Sequence, residues 1–224
     1  PLGFLALSLT SLVLNSDISV FKMVLLTLVT IWSLRLGGYL GWRLLSHGEE
    51  DKRYTSMRVK WKGSLALNAY LRVYLVQFLI QSIIALPLYF YFKANGESLW
   101  NLNHFVGLLL FFYGLFFQVW ADFGLAKFKA LPNNKGRLYT EGAWKFSQHP
   151  NYFGEAAIWF GFFIFTLNIS PMWTAISPVV LLFFLLKVSG IPLLAREEKY
   201  GASPEYQEYR SKTSLFVPWY PRED

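Results

Sequence analysis

Two short groups of polar residues interrupt otherwise apolar sequence. Gln118 and Asp122 are four residues apart and Lys129 follows seven residues later, so on a helix the three share one face. Asn151 and Glu155 repeat the four-residue step in Gln148-His149-Pro150-Asn151-Tyr152-Phe153-Gly154-Glu155, where Pro150 suits the first turn of a predicted helix. The positive end of that helix favours a carboxylate at Glu155. A third set, Trp32, Arg35, Tyr39 and Arg43, follows i, i+3, i+7, i+11 spacing and gives one polar, aromatic face. Gly37, Gly38 and Gly41 lie beside it, small residues that let a ligand or a second helix come close to the backbone. Ionisable groups inside apolar runs are costly and mark a cavity or a site. Each also has a plainer reading: Arg35 snorkels or pairs with a carboxylate, and Asp122 is solvated at a helix end.

Other chemistries lack their residues. The chain has no cysteine and three histidines, His47, His104 and His149, so a metal centre has poor support and thiol chemistry is excluded. No HExxH, GxSxG or GxGxxG pattern occurs, which leaves common hydrolase and Rossmann chemistry without a signature.

The elements that position these residues are apolar throughout. Hydrophobic residues make up 54% of the 224 and charged ones only 16%, too few charges to cover a soluble domain. The mean hydropathy of +0.32 agrees. Stretches near the roughly 20 residues that cross a bilayer fall at about 1–15, 19–45, 66–92, 104–126, 151–169 and 172–195. They are too long for strands and show no period-two alternation, so the expected fold is all-α, a multi-pass transmembrane bundle with six spans. The first residue is Pro1, not Met, and an apolar run begins at once, as in a processed or trimmed chain.

Charge gives an orientation. Of the 21 Lys and Arg residues, sixteen fall near 43–62, at 127–145 and in the tail from Arg196. Two, Lys22 and Lys93, fall on the alternate side, and Arg35, Arg72 and Lys187 lie within spans. The positive-inside rule then makes the basic loops and the C-terminal tail cytoplasmic. The net charge of +7 exceeds what topology needs, which suits anionic headgroups or a soluble polyanionic cofactor. No nucleic-acid motif accompanies it.

The segments Leu138-Tyr139-Thr140-Glu141-Gly142-Ala143-Trp144 and Ser147 to Glu155 resemble the C-terminal signature of the steroid 5-alpha-reductase family, closest to its bacterial branch. The Arg35–Arg53 block fits the same branch, as does the ending Glu205-Tyr206-Gln207-Glu208-Tyr209 with Phe216-Val217-Pro218-Trp219-Tyr220. The resemblance covers about residues 20–221. It implies a seven-helix membrane enzyme that reduces the 4-ene double bond of 3-oxo-steroids with NADPH. It further implies that Asn151 and Glu155, with Tyr152 between them, bind the nicotinamide end. Gln118, Asp122, Lys129 and Arg137 would surround the ribose and phosphates. Arg35 and Tyr39 match residues of a helix facing the family's site, and Arg53 matches a phosphate-binding Arg.

Trp32 stands where the steroid enzymes carry a Tyr that donates to the 3-keto oxygen; indole N–H can donate but cannot become an oxyanion. A catalytic Glu of the family's early helix has no counterpart here, since the chain starts about where that helix ends. The catalytic set implied is therefore Trp32, Tyr39 and Glu155. The partners implied are membrane lipids and a lipophilic, steroid-like enone entering a monomer from the bilayer, with no nucleic acid. The membrane is a bacterial cytoplasmic membrane or the endoplasmic reticulum, with the cofactor site facing the cytoplasm. Rival readings are an S-adenosylmethionine-dependent methyltransferase of the isoprenylcysteine or phospholipid type, whose motif carries Arg where Gln148 stands, and a sterol reductase acting on another double bond. A lipid-binding scaffold or transporter is the non-enzymatic alternative.

Overall fold

The computed structural model describes residues 1–15, 17–47, 58, 61–96, 99–188, 190–191 and 203–222. The described residues form helices and no strand, in two compact units. Among the described residues, three helices are long and apolar enough to cross a membrane: Val20–Leu45 within the second helix, Leu65–Ile84, and Leu102–Ala130.

The first unit comprises Pro1–Leu99 with Ile169–Thr174. Helix α1 (Leu2–Val13) packs on α2 (Val20–His47). Helix α3 runs over Leu65–Ile84, with a wide turn at Tyr70–Tyr74. The stretch expected as one span at 66–92 breaks at Ala85, and α4 (Leu86–Lys93) follows. Pro87 is the cause, since its ring has no N–H for a continuing helix and crowds the preceding turn. Leu25, Val29, Trp32, Leu88, Tyr91 and Phe92 are buried in this unit. Ser170 Oγ donates to the Pro87 carbonyl at 2.9 Å, and Trp173 stands edge-on to Phe90, which ties in the segment Ile169–Thr174.

A polar knot closes one end of this unit. Asn15 Nδ2 reaches the carbonyls of Phe92 and Lys93 at 3.0 Å, and Asp17 Oδ2 accepts from the Gly96 N–H at 2.8 Å. Lys22 is fully buried; its Nζ donates to the carbonyls of Asp17 and Ala94, both at 2.7 Å, and lies 3.7 Å from the Asp17 carboxylate. The sequence reading placed Lys22 among the loop charges, but its ammonium is an internal tie. A buried cation is tolerable here because carbonyls and a carboxylate replace its water.

The second unit comprises Trp100–Asn168 and Ala175–Asp224. Helix α5 (Leu102–Ala130) begins in a capping box: Asn101 Oδ1 accepts from the N–H groups of Asn103 and His104, and His104 Nδ1 accepts from the Asn101 N–H. It stops at Leu131, held extended (φ −85°, ψ 121°) by the following proline. A single turn, α6 (Ala143–Phe146), leads to α7 (Pro150–Thr166). Helix α8 (Ile176–Phe183) packs on α7, and α9 (Pro204–Lys212) starts with Ser203 Oγ accepting from the Tyr206 N–H at 3.3 Å.

The α5–α7 pair is the centre of this unit, and glycines set its register. A Cβ on Gly107 would lie 2.8 Å from the Gly161 carbonyl oxygen, and one on Gly114 would lie 2.5 Å from that of Gly154. Gly107 and Gly114 are seven residues apart, as are Gly154 and Gly161, so two helical turns down α5 match two turns up α7. Only residues without a side chain allow the backbones this close.

Candidate functional site

The glycine register carries directly into the polar residues. One turn beyond Gly114 on α5 stands Gln118, and one residue beyond Gly154 on α7 stands Glu155. Gln118 Nε2 donates to Glu155 Oε2 in a short contact. The other carboxylate oxygen, Oε1, accepts from Trp159 Nε1 at 3.0 Å. One turn further, Asn151 Nδ2 lies 3.4 Å from Asp122 Oδ1, at the edge of hydrogen-bond distance, while its Oδ1 lies 3.0 Å from the Tyr152 N–H. Gln118 and Asp122 are buried, whereas Asn151, Tyr152 and Glu155 keep intermediate exposure. The result is a file of amide and carboxylate groups at the first turns of α7.

Each group is held from behind. Phe153 packs edge-on against Tyr113 and Phe117 of α5, fixing the rotation of α7. Trp144 Nε1 donates to the Ala121 carbonyl at 3.0 Å, binding the short turn α6 to α5 beside Asp122. Tyr139 lies over Gly124 and near Phe128, with ring centroids 4.8 Å apart, which folds the basic loop back along α5. Desolvation, then the negative charge of Glu141, pushes the Tyr139 phenol above its ordinary value. Lys129 is exposed near the end of α5, and Arg137 is exposed in a turn whose N–H donates to the Asn134 carbonyl at 3.0 Å.

His149 caps α7 through its backbone position, and its ring stacks on Tyr152 with centroids 5.7 Å apart. Its Nδ1 is buried without a hydrogen-bond partner. Burial, then the positive charge of Arg210, pushes it down to about 4, so the ring is neutral near pH 7. The preceding Gln148 is buried, and its side-chain amide donates to the Thr213 carbonyl at 2.7 Å and to the Arg210 carbonyl at 3.3 Å. Tyr209 OH donates to the Trp144 carbonyl at 2.6 Å, and desolvation pushes its phenol well above the usual range.

The second unit thus assembles Gln118, Asp122, Asn151, Tyr152 and Glu155. The first unit holds Trp32, Arg35 and Tyr39 on α2. Trp32 is buried, edge-on to Phe4 at 5.6 Å, and the Arg35 guanidinium lies over the Tyr39 ring at 5.7 Å. Arg53 lies outside the described residues. Among the described residues no cluster of three or more metal-ligating groups occurs. Trp159 was absent from the sequence-based set; its signal was the four-residue step from Glu155.

The chain belongs to the family described as protein of unknown function (DUF1295), which matches residues 1–213 and falls within the steroid 5-alpha-reductase-like superfamily. It is 26% identical over 225 residues to an uncharacterized protein of Schizosaccharomyces pombe, a match covering 88% of this chain and 63% of that protein. It is 38% identical over 60 residues to a probable O-methyltransferase of Ustilaginoidea virens, covering 27% of this chain and 21% of that protein. The chain therefore spans less than two thirds of the length of these relatives. No solved structure matches it.

Proposed function

We propose that this chain is a multi-pass membrane reductase that uses NADPH to saturate the carbon–carbon double bond of a lipophilic enone of the 3-oxo-4-ene steroid kind. The observation that carries the reading is the cluster of Gln118, Asp122, Asn151 and Glu155 at the start of α7. A nicotinamide carboxamide presents both an NH2 donor and a carbonyl acceptor. Asn151 offers the complementary pair, and Glu155 offers acceptor oxygens whose direction is set by Gln118 and Trp159. The donor set therefore fits the cofactor. Asn151 and Glu155 would hold its nicotinamide end, and Lys129 and Arg137 its phosphates, for which Arg is suited by its forked donors.

When bound, NADPH supplies the hydride, and the protein supplies orientation and electrostatics. Negative charge then grows on the enone oxygen, which requires a donor aimed there in advance. In this reading the six apolar stretches are spans and the basic loops face the cytoplasm.

The second reading is an S-adenosylmethionine-dependent methyltransferase, favoured by the short match to a probable O-methyltransferase. Against it, the residue in place of that motif's Arg, Gln148, spends its amide on backbone carbonyls of the tail. The test is enone-dependent NADPH oxidation by the purified full chain and its Glu155→Gln and Asn151→Ala variants. Loss of turnover in both, with the fold intact, is expected; turnover retained in either sinks the assignment.

A further inference from the structure

A cleft of about 470 Å³ lies in the C-terminal segment of the second unit, lined by none of Gln118, Asp122, Asn151 and Glu155. Three cations line it, Arg210, Lys212 and Arg222, together with the hydroxyl residues Ser211 and Ser214. Lys212 Nζ is paired with Glu208 at 3.0 Å, so one carboxylate offsets one of three positive charges. The Arg210 guanidinium lies 5.6 Å over the Tyr206 ring, a contact that leaves its N–H groups able to donate.

The cleft is built by specific bonds. Its floor is the buried Gln148, which donates from its side chain to the Arg210 and Thr213 carbonyls and from its backbone to the Ser214 carbonyl at 2.8 Å. Ser147 Oγ donates to the Phe216 carbonyl at 2.8 Å, and the Trp219 N–H donates to the Phe146 carbonyl at 2.9 Å. The Arg222 N–H donates to the Lys212 carbonyl at 3.0 Å, closing the segment on itself and bringing the last arginine back to the end of α9. Such closure fixes the backbone under the cations before any ligand arrives, which lowers the ordering cost of binding. Trp219 and Tyr220, 71% and 78% exposed, also line the cleft. Large amphipathic rings beside cations are the composition of a surface that meets lipid headgroups.

We propose that this cleft is a binding site for a phosphate-ester anion, held by Arg210 and Arg222 with Lys212 and the Ser214 hydroxyl beside them; the Ser211 hydroxyl is spent on the Glu208 carbonyl at 2.8 Å. The chemistry is shared by an anionic lipid headgroup and a soluble phosphomonoester, and the inference stands independently of the reductase reading.

The test uses the purified full chain in detergent, titrated with phosphatidic acid, phosphatidylcholine or glycerol 3-phosphate and read by native mass spectrometry. Charge-assisted contacts predict about a tenfold loss of phosphatidic acid affinity for each arginine removed, so about a hundredfold in Arg210→Ala/Arg222→Ala. The Arg210→Lys/Arg222→Lys variant, which keeps the charge, should retain most of the affinity and controls for folding. Competition by glycerol 3-phosphate identifies a soluble ligand as the source; binding of the lipid alone identifies the headgroup. Equal affinity of the wild type and the double alanine variant for phosphatidic acid overturns the proposal, as does equal affinity of the wild type for phosphatidylcholine and phosphatidic acid.

Discussion

Replacing Gly154 by alanine tests the register that brings the candidate site together. A Cβ there would lie 2.5 Å from the Gly114 carbonyl oxygen, 2.8 Å from Gln118 Cγ and 2.9 Å from the Gln118 nitrogen. Ordinary contact begins at 3.4 Å, so the Gly114 carbonyl must retreat by 0.9 Å, the difference between the two distances. Two of these three atoms are backbone, which cannot rotate aside. Overpacking of this kind costs about 1–3 kcal/mol.

Gly38→Ala on α2 is the matched control, because nothing lies within 4 Å of the added Cβ. Both substitutions gain about 1 kcal/mol of helix propensity, so the difference between them is the overpacking itself. At about 2–4 °C per kcal/mol for a chain of this size, Gly154→Ala should melt about 2–12 °C below Gly38→Ala. Circular dichroism of both purified variants in one detergent reads this directly. The displaced helix also shifts Gln118 relative to Glu155, so NADPH affinity should fall in Gly154→Ala and stay unchanged in Gly38→Ala. Equal melting of the two variants would refute the glycine-register argument.

Other outcomes follow from single groups. His149 is held neutral in the fold while the unfolded chain protonates near pH 6.5, so this group's contribution is fully present above that pH and lost as pH falls towards about 4. The loss amounts to about 3 kcal/mol, and His149→Phe should flatten the stability profile in that window alone. Tyr209→Phe removes the donor to the Trp144 and Ser147 carbonyls and should cost about 1–2 kcal/mol in denaturant titrations. Lys22→Ala unties the Asp17 and Ala94 carbonyls and should destabilise by about 3 kcal/mol; a change under about 0.5 kcal/mol would contradict an internal role for Lys22. Trp159→Phe removes a donor on Glu155 and should reduce turnover about tenfold while leaving the helical signal unchanged.

Much of this architecture is legible in the residues. The four-residue steps from Gln118 to Asp122 and from Asn151 to Glu155 define two faces, and the structure lays one against the other. The partner of each face was hidden, because helix pairing depends on where backbones approach. The seven-residue glycine repeats at 107 and 114 and at 154 and 161 held that information, but each repeat is meaningful only beside the other. Lys22 reads as a loop charge because its partners are carbonyls of Asp17 and Ala94, and carbonyls carry no sequence signal. Gln148 is silent in the same way: its amide serves the tail through the Arg210 and Thr213 carbonyls. Pro87 was visible, yet a long apolar run outweighed the break it makes at Ala85.

The central claim is the identity of the cofactor, and equilibrium binding tests it most directly. The purified full chain, reconstituted in nanodiscs, is titrated separately with NADPH and with S-adenosylmethionine and followed by calorimetry. The account predicts saturable binding of NADPH, abolished by Glu155→Gln and Asn151→Ala, and no binding of S-adenosylmethionine. Binding of S-adenosylmethionine with none of NADPH would contradict it.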